Sequence, residues 1–163
     1  MSMHLTTDCA FPGIKPINAV REGIALGSYT HCYAPGLEQY VRFSPAYGEK
    51  ELHVICFNRS LATTDYVRFL HAIGKRPCQN APAYLLGLMA QVAEDRMPLE
   101  LCNMKIVAAS PDAIFETLLS YRCSRACNRG SLCVSRFNGS RELELLAHID
   151  GEYTGCAFVT ENL

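Results

Sequence analysis

Apolar residues recur every three or four positions at Tyr66, Phe69, Leu70 and Ile73, which predicts a helix over residues 65–73. Thr63 or Thr64 can cap it, and Gly74 offers a left-handed stop. A second helix is predicted over 81–93, with Leu85, Leu86, Met89 and Val92 on one face, Asn80 as cap and Pro82 in the first turn. A shorter helix is expected over 17–26, capped by Asn18 and closed by Gly27. Strand patterns fall at 51–58, which is rich in Val, Ile and Phe, and at 39–43 and 105–109. Residues 141–149 set Leu143, Leu145 and Ala147 against Glu142, Glu144 and Leu146, the alternation of a half-buried strand. Asp150-Gly151 is a turn signal, so 153–160 is expected to return as that strand's hairpin partner. Residues 1–16 read as an extended lead-in, and 112–122 mix helical and non-helical features. Helices early and strands late predict an α+β fold, a helix pair packed on a mixed or antiparallel sheet with a β-rich C-terminal part. No repeat or long linker interrupts the pattern, so one domain over 1–163 is expected.

Composition narrows the class. At 163 residues the chain can bury a core without staples, and 49% hydrophobic against 19% charged residues excludes a disordered chain. A net charge of −1 provides no global attraction to nucleic acid or to an anionic membrane. Residues 1–11 lack the basic and apolar regions of a signal peptide, and the apolar-leaning stretch 81–93 is too short to span a bilayer. The cytosol is therefore the expected compartment, with no membrane partner. The nine cysteines are odd in number and widely spaced, unlike a disulfide scaffold. Cys56, within the apolar run 52–57, reads as a small buried hydrophobe.

Phe57-Asn58-Arg59 leads into the first helix of the pair, Gly74-Lys75-Arg76-Pro77 joins it to the second, which carries Tyr84-Leu85-Leu86-Gly87-Leu88, and Ile106-Val107-Ala108-Ala109-Ser110 follows. This succession resembles a group of small bacterial proteins of uncharacterised activity with the pattern FNRD, a helix, G-x-RPAT-x-x-ELLAL and P-IVALGS. The run Ala19 to Tyr29 is similar to that group's early helix ending in a Gly-x-Tyr turn. The resemblance covers residues 17–110. The chain departs from it in two extra residues after Arg76-Pro77 and in Gln79-Asn80 at the usual threonine cap. The resemblance implies no activity. The helix pair with its terminal β region is also distantly similar to C-type-lectin-like domains, an analogy of fold alone.

Residues 121–136 hold Cys123, Cys127 and Cys133 with Arg122, Arg125, Arg129 and Arg136, and no acidic residue. The four arginines are the candidate ligand-binding residues, because guanidinium forks pair well with anions. Tyr121 and Phe137 flank the run and can stack on bases. The slightly acidic chain and the following Glu142, Glu144, Asp150 and Glu152 argue against a nucleic-acid partner and for a solvated face. Cys123 and Cys127 have zinc-ligand spacing, with Cys133 and His148 or Cys156 to complete a set, but no second close pair accompanies them. Neither a metal nor a cofactor is therefore assigned. His31 adjoins Cys32, yet there is no phosphate loop, nucleophile elbow or dinucleotide fingerprint. Arg59 and Arg76 lie at element boundaries, where a structural role or ligand binding is open to each; Arg76 is placed to bind carbonyls at a helix end. The reading is a cytosolic binding or interaction module, whose region 111–155 meets an unidentified protein or small ligand. A cysteine-dependent enzyme or redox protein, and a zinc-stabilised nucleic-acid contact through 121–137, are the alternatives.

Overall fold

A computed structural model of the chain describes residues 3–32, 44–59, 61–62, 65–109, 130–137, 140–147, 152–153 and 155–163. The α+β class is as the sequence pattern predicts. The strands are β1 (Leu5–Ile14), β2 (His31–Cys32), β3 (Lys50–Phe57), β4 (Leu61–Ala62), β5 (Lys75–Pro77), β6 (Lys105–Val107), β7 (Gly130–Phe137), β8 (Ser140–Ala147), β9 (Glu152–Tyr153) and β10 (Cys156–Asn162). The helices are α1 (Val20–Leu26), α2 (Tyr66–Ala72) and α3 (Ala81–Gln91). A mixed sheet runs β1-β3-β10-β6-β7-β8-β2, with β5 also paired to β10, while β4 and β9 form a separate ribbon. The β10–β6 and β8–β2 pairs are parallel and the other pairs antiparallel.

Period-two alternation divides the sheet's side chains between two faces. The inner face carries Val54, Cys56, Ile106, Val134, Leu143 and Val159, which pack with α3 into the large core. The outer face carries Ile55, Val107, Cys133, Cys156 and Phe158, covered by Tyr66 and Leu70 of α2. The helices expected at 65–73 and 81–93 to pack against each other as a pair are instead separated by the sheet, one on each face, and the helix in contact with α3 is α1. Gly23 and Gly87 make that inner layer tight: a Cβ on Gly23 would lie 2.7 Å from Leu86, and one on Gly87 would collide with the Lys15 carbonyl oxygen. No helix among the described residues is long and apolar enough to cross a membrane.

Several local expectations are corrected. Asn18 does not cap α1, whose N-cap is Ala19; its side-chain amide instead brackets the backbone of Ala46, at 2.8 and 2.9 Å. Asn80 caps α3 by a left-handed backbone (φ 57°), without a side-chain hydrogen bond. The partner of β8 is β7, so residues 130–137 of the expected basic loop are a strand. The segment expected to complete that hairpin is the central strand β10, between β3 and β6. The lead-in contains edge strand β1. The strand expected at 39–43, the caps Thr63 and Thr64, and 112–122 lie outside the described residues.

Candidate functional site

At one end of the sheet the chain leaves β3 after Phe57 and re-enters β10 at Cys156. Between these points the β4–β9 ribbon pairs Leu61 with Tyr153 and Ala62 with Glu152, carrying the two backbones away from the sheet. A cavity of about 220 Å³ opens where they part. Phe57, Asn58, Arg59 and Met104 line it together with Gly155, Cys156 and the buried Phe158, and behind it Phe57 and Phe158 pack on each other with ring centroids 6.2 Å apart at 58°. Tyr66 and Phe69 of α2 support these rings from the outer face, at 4.9 Å from Phe158 and 6.4 Å from Phe57. The Cys56 thiol donates to the Met104 sulfur at 3.3 Å, holding Met104 toward the inner layer. Asn58 ties the rim to the start of β1, since its N–H donates to the His4 carbonyl and its Oδ1 accepts from the His4 N–H, both at 3.0 Å. Gly155 sits at φ +63°, a backbone that side chains rarely adopt, and closes the rim. Arg59 lies exposed on the same rim and has no carboxylate partner among the described residues.

Beside the cavity, register aligns Cys156, Lys105, Ser135 and Glu142 across β10, β6, β7 and β8. The Ser135 hydroxyl donates to Glu144 Oε1 at 2.7 Å, and Lys105 Nζ lies 3.3 Å from the same oxygen. Burial works against the Lys105 charge, but the Glu144 carboxylate outweighs it and holds the ammonium above its ordinary value. The pair is therefore self-neutralised, and Ser135 faces no free base. Farther along the outer face, His53 lies 2.8 Å from both Asp8 and Glu51, while Lys75 reaches Asp8 at 3.3 Å and donates to Asn162 at 3.0 Å. These contacts tie β1, β3, β5 and β10 together.

Four of the described thiols, Cys9, Cys56, Cys78 and Cys133, sit where the thiolate is disfavoured. Burial pushes Cys56 up to about 11 and Cys78 up to about 12, and raises Cys9 and Cys133 as well. A nucleophile or metal ligand needs the thiolate, which these environments disfavour. Of the zinc ligands considered, Cys123, Cys127 and His148 lie outside the described residues. Cys133 and Cys156 share the outer face, but β6 lies between their strands. No group of three or more His, Cys, Asp or Glu placed to hold a metal ion occurs among the described residues.

Of the arginines proposed from sequence, Arg122, Arg125 and Arg129 also lie outside the described residues. Arg136 is not a loop residue: it lies on β7, 3% exposed. Its Nε and Nη2 donate to Glu94 at 3.0 and 2.7 Å, and its Nη1 donates to the Leu101 carbonyl at 2.6 Å. Directly across the β7–β8 pair stands Arg141, also buried. It donates to Glu94 at 2.9 Å and to the carbonyls of Gly27, Met89 and Val92 at 2.7–2.8 Å. One carboxylate thus separates two like charges, and Arg141 caps the C-terminal ends of α1 and α3. Arg76 likewise has a side-chain partner in place of helix carbonyls: on β5 its Nε donates to Glu161 at 3.1 Å, and Lys50 reaches the same carboxylate at 2.8 Å.

The cavity brings together segments that the sequence reading kept apart. Arg59 reads from sequence as a boundary residue with a structural role or ligand binding open to it, and Met104, Gly155 and Phe158 carry no functional signal of their own. Comparison of the chain with family models, with curated proteins and with solved structures finds no match.

Proposed function

We propose that this protein is a non-covalent binding module that takes a small ligand in the cavity at the ends of β3 and β10. The observation that carries the reading is a cavity of about 220 Å³, beside a well-filled core, with the exposed guanidinium of Arg59 at its rim. Sites for small ligands set a few placed polar groups beside apolar side chains, and this cavity sets Arg59 and Asn58 beside Phe57 and Met104. The raised thiols favour binding over cysteine chemistry. Engagement of Arg136 with Glu94 weakens the arginine-rich segment's claim to an anion site. Cys9, Cys56, Cys78, Cys102 and Cys133 carry thiols, which supports a reducing compartment such as the cytosol.

The test is amide chemical-shift mapping with a mixture of small aromatic and aliphatic compounds. Ligands should shift the amides of Phe57, Met104, Cys156 and Phe158 as one group, with dissociation constants of about 1 mM or tighter. A protein that binds such compounds only at amides remote from these residues overturns the proposal.

A further inference from the structure

Away from the cavity, the outer face of the sheet carries a cross-strand contact that depends on a proton. We infer that the bond between His53 of β3 and Asp8 of the edge strand β1 is a pH-operated latch, closed by the imidazolium and loosened by Glu51 when the ring loses its proton.

Counting donors shows why. His53 Nδ1 lies 2.8 Å from Asp8 Oδ1, and Nε2 lies 2.8 Å from Glu51 Oε1. A carboxylate only accepts, and a neutral imidazole has a single N–H, so both contacts are hydrogen bonds only while both ring nitrogens carry a proton. Burial raises the Asp8 carboxyl, but hydrogen bonds and charges from His53 and Lys75 overcome this and hold it below its ordinary 3.8, so it stays an acceptor. The His53 side chain is 12% exposed, which leaves little water to take the place of a lost partner.

The two carboxylates play different parts. Asp8 stands on β1, so its bond to the ring crosses from the edge strand to β3. Glu51 belongs to β3 itself, two residues before His53 on the same face, and ties nothing across the pair. On a neutral ring Glu51 competes with Asp8 for the one remaining proton, and the bare nitrogen then faces a carboxylate. The register of β1 slips between Leu5 and Thr7 and again between Phe11 and Ile14, so the latch acts on a short regular stretch, 7–11. Lys75 of β5 reaches Asp8 at 3.3 Å in either state, so release loosens β1 without detaching it. From β10, the neutral Thr160 donates its hydroxyl to the His53 carbonyl, and the neutral Asn162 accepts from Lys75. On α2, which covers this face, Tyr66 packs on Phe158, Arg68 pairs with Asp65 and His71 is exposed.

The experiment follows the full chain from about pH 5 to about pH 9, which spans the range in which histidine changes charge. Nitrogen chemical shifts of the His53 ring report its protonation, and hydrogen-exchange protection factors of the β1 amides report the strand, with those of the central strand β10 as reference. Protection of β1 should fall by about three- to tenfold as the ring loses its proton, the loss of one charged hydrogen bond at a partly exposed site, while β10 is unchanged. Glu51→Gln is the decisive variant. Its amide can donate to Nε2 and leave the single N–H of a neutral ring to Asp8, so β1 should stay protected at high pH. His53→Gln should abolish the pH dependence, and His71→Gln should preserve it. A ring that keeps one charge state throughout, β1 protection that does not follow the ring, or a Glu51→Gln chain as pH-sensitive as the parent overturns the latch. Glu51 is exposed, so the parent and Glu51→Gln decide the matter even where His53→Gln does not fold.

Discussion

Replacing Arg141 with methionine tests whether the buried arginine pair holds the helices to the sheet. The side chain is 2% exposed and donates four hydrogen bonds, one to Glu94 and three to the carbonyls of Gly27, Met89 and Val92. Methionine fills much of the volume but offers no donor, so the helix-end carbonyls lose a charged partner. Glu94 keeps Arg136, and its own charge is not orphaned. Removing one member of a buried ionic group costs about 3–5 kcal/mol, and the retained Arg136 places Arg141→Met near the lower end of that range. That is a large share of the roughly 5–15 kcal/mol that stabilises a typical domain. At about 2–4 °C per kcal/mol for a chain of this size, the melting temperature should fall by about 6–12 °C. Urea unfolding followed by circular dichroism should show a lower midpoint with an unchanged slope. Arg141→Lys should recover only part of the loss, because an ammonium cannot spread to carbonyls on both helices as the planar fork does. A loss under about 1 kcal/mol for Arg141→Met would refute the argument, since it would mean that water satisfies those carbonyls equally well.

Gly87→Ala should destabilise the fold by about 1–3 kcal/mol in the same unfolding assay, because the new methyl meets the Lys15 backbone rather than a movable side chain. A stability gain, as expected for alanine in an unobstructed helix, would show that this approach is not tight. Glu161 predicts an acid-side dependence. Burial raises its carboxyl, but the Lys50 and Gln79 hydrogen bonds and the Lys50 and Arg76 charges overcome that, leaving it below its ordinary 4.5. Its folded value is depressed, so its contribution is present above 4.5 and is lost as pH falls through the folded value. The stability difference between the parent chain and Glu161→Gln should therefore shrink below pH 4.5, and a difference independent of pH would contradict the assignment.

Strand parity made much of the fold legible. Leu143 and Leu145 alternate with Glu144 as the inner and outer faces require, and Gly74 stops α2 at φ +77°. The same parity places Arg141 with Leu143, and Arg136 with Leu132 and Val134, on the inner face. That signal for two buried arginines was present in the sequence and was outweighed by the habit of reading arginine clusters as surface. The position of β10 was not legible from local pattern. Its unbroken run from Cys156 to Thr160 suits a strand buried on both faces, but only long-range pairing places it between β3 and β6. The cavity was hidden for the same reason. Phe57 and Cys156 are adjacent because β10 returns to β3, and no periodicity records that closure.

The arginines also show how one residue type is divided between the core and the exposed rim of the cavity. Arg136 and Arg141 occupy inward positions of a regular antiparallel pair, where an unpaired charge is untenable, so Glu94 and helix carbonyls engage them. Arg59 comes two residues after the last residue of β3, as the backbone turns toward the β4–β9 ribbon. No sheet register directs it inward there, and its charge can stay hydrated. The bend that frees Arg59 also keeps the neighbouring strand ends from closing: a side chain added at Gly155 would meet nothing within 4 Å, so space remains where strands would otherwise continue to pack. The departure of two chain segments from the sheet thus accounts for both halves of the proposed site, the unfilled volume and the guanidinium at its mouth.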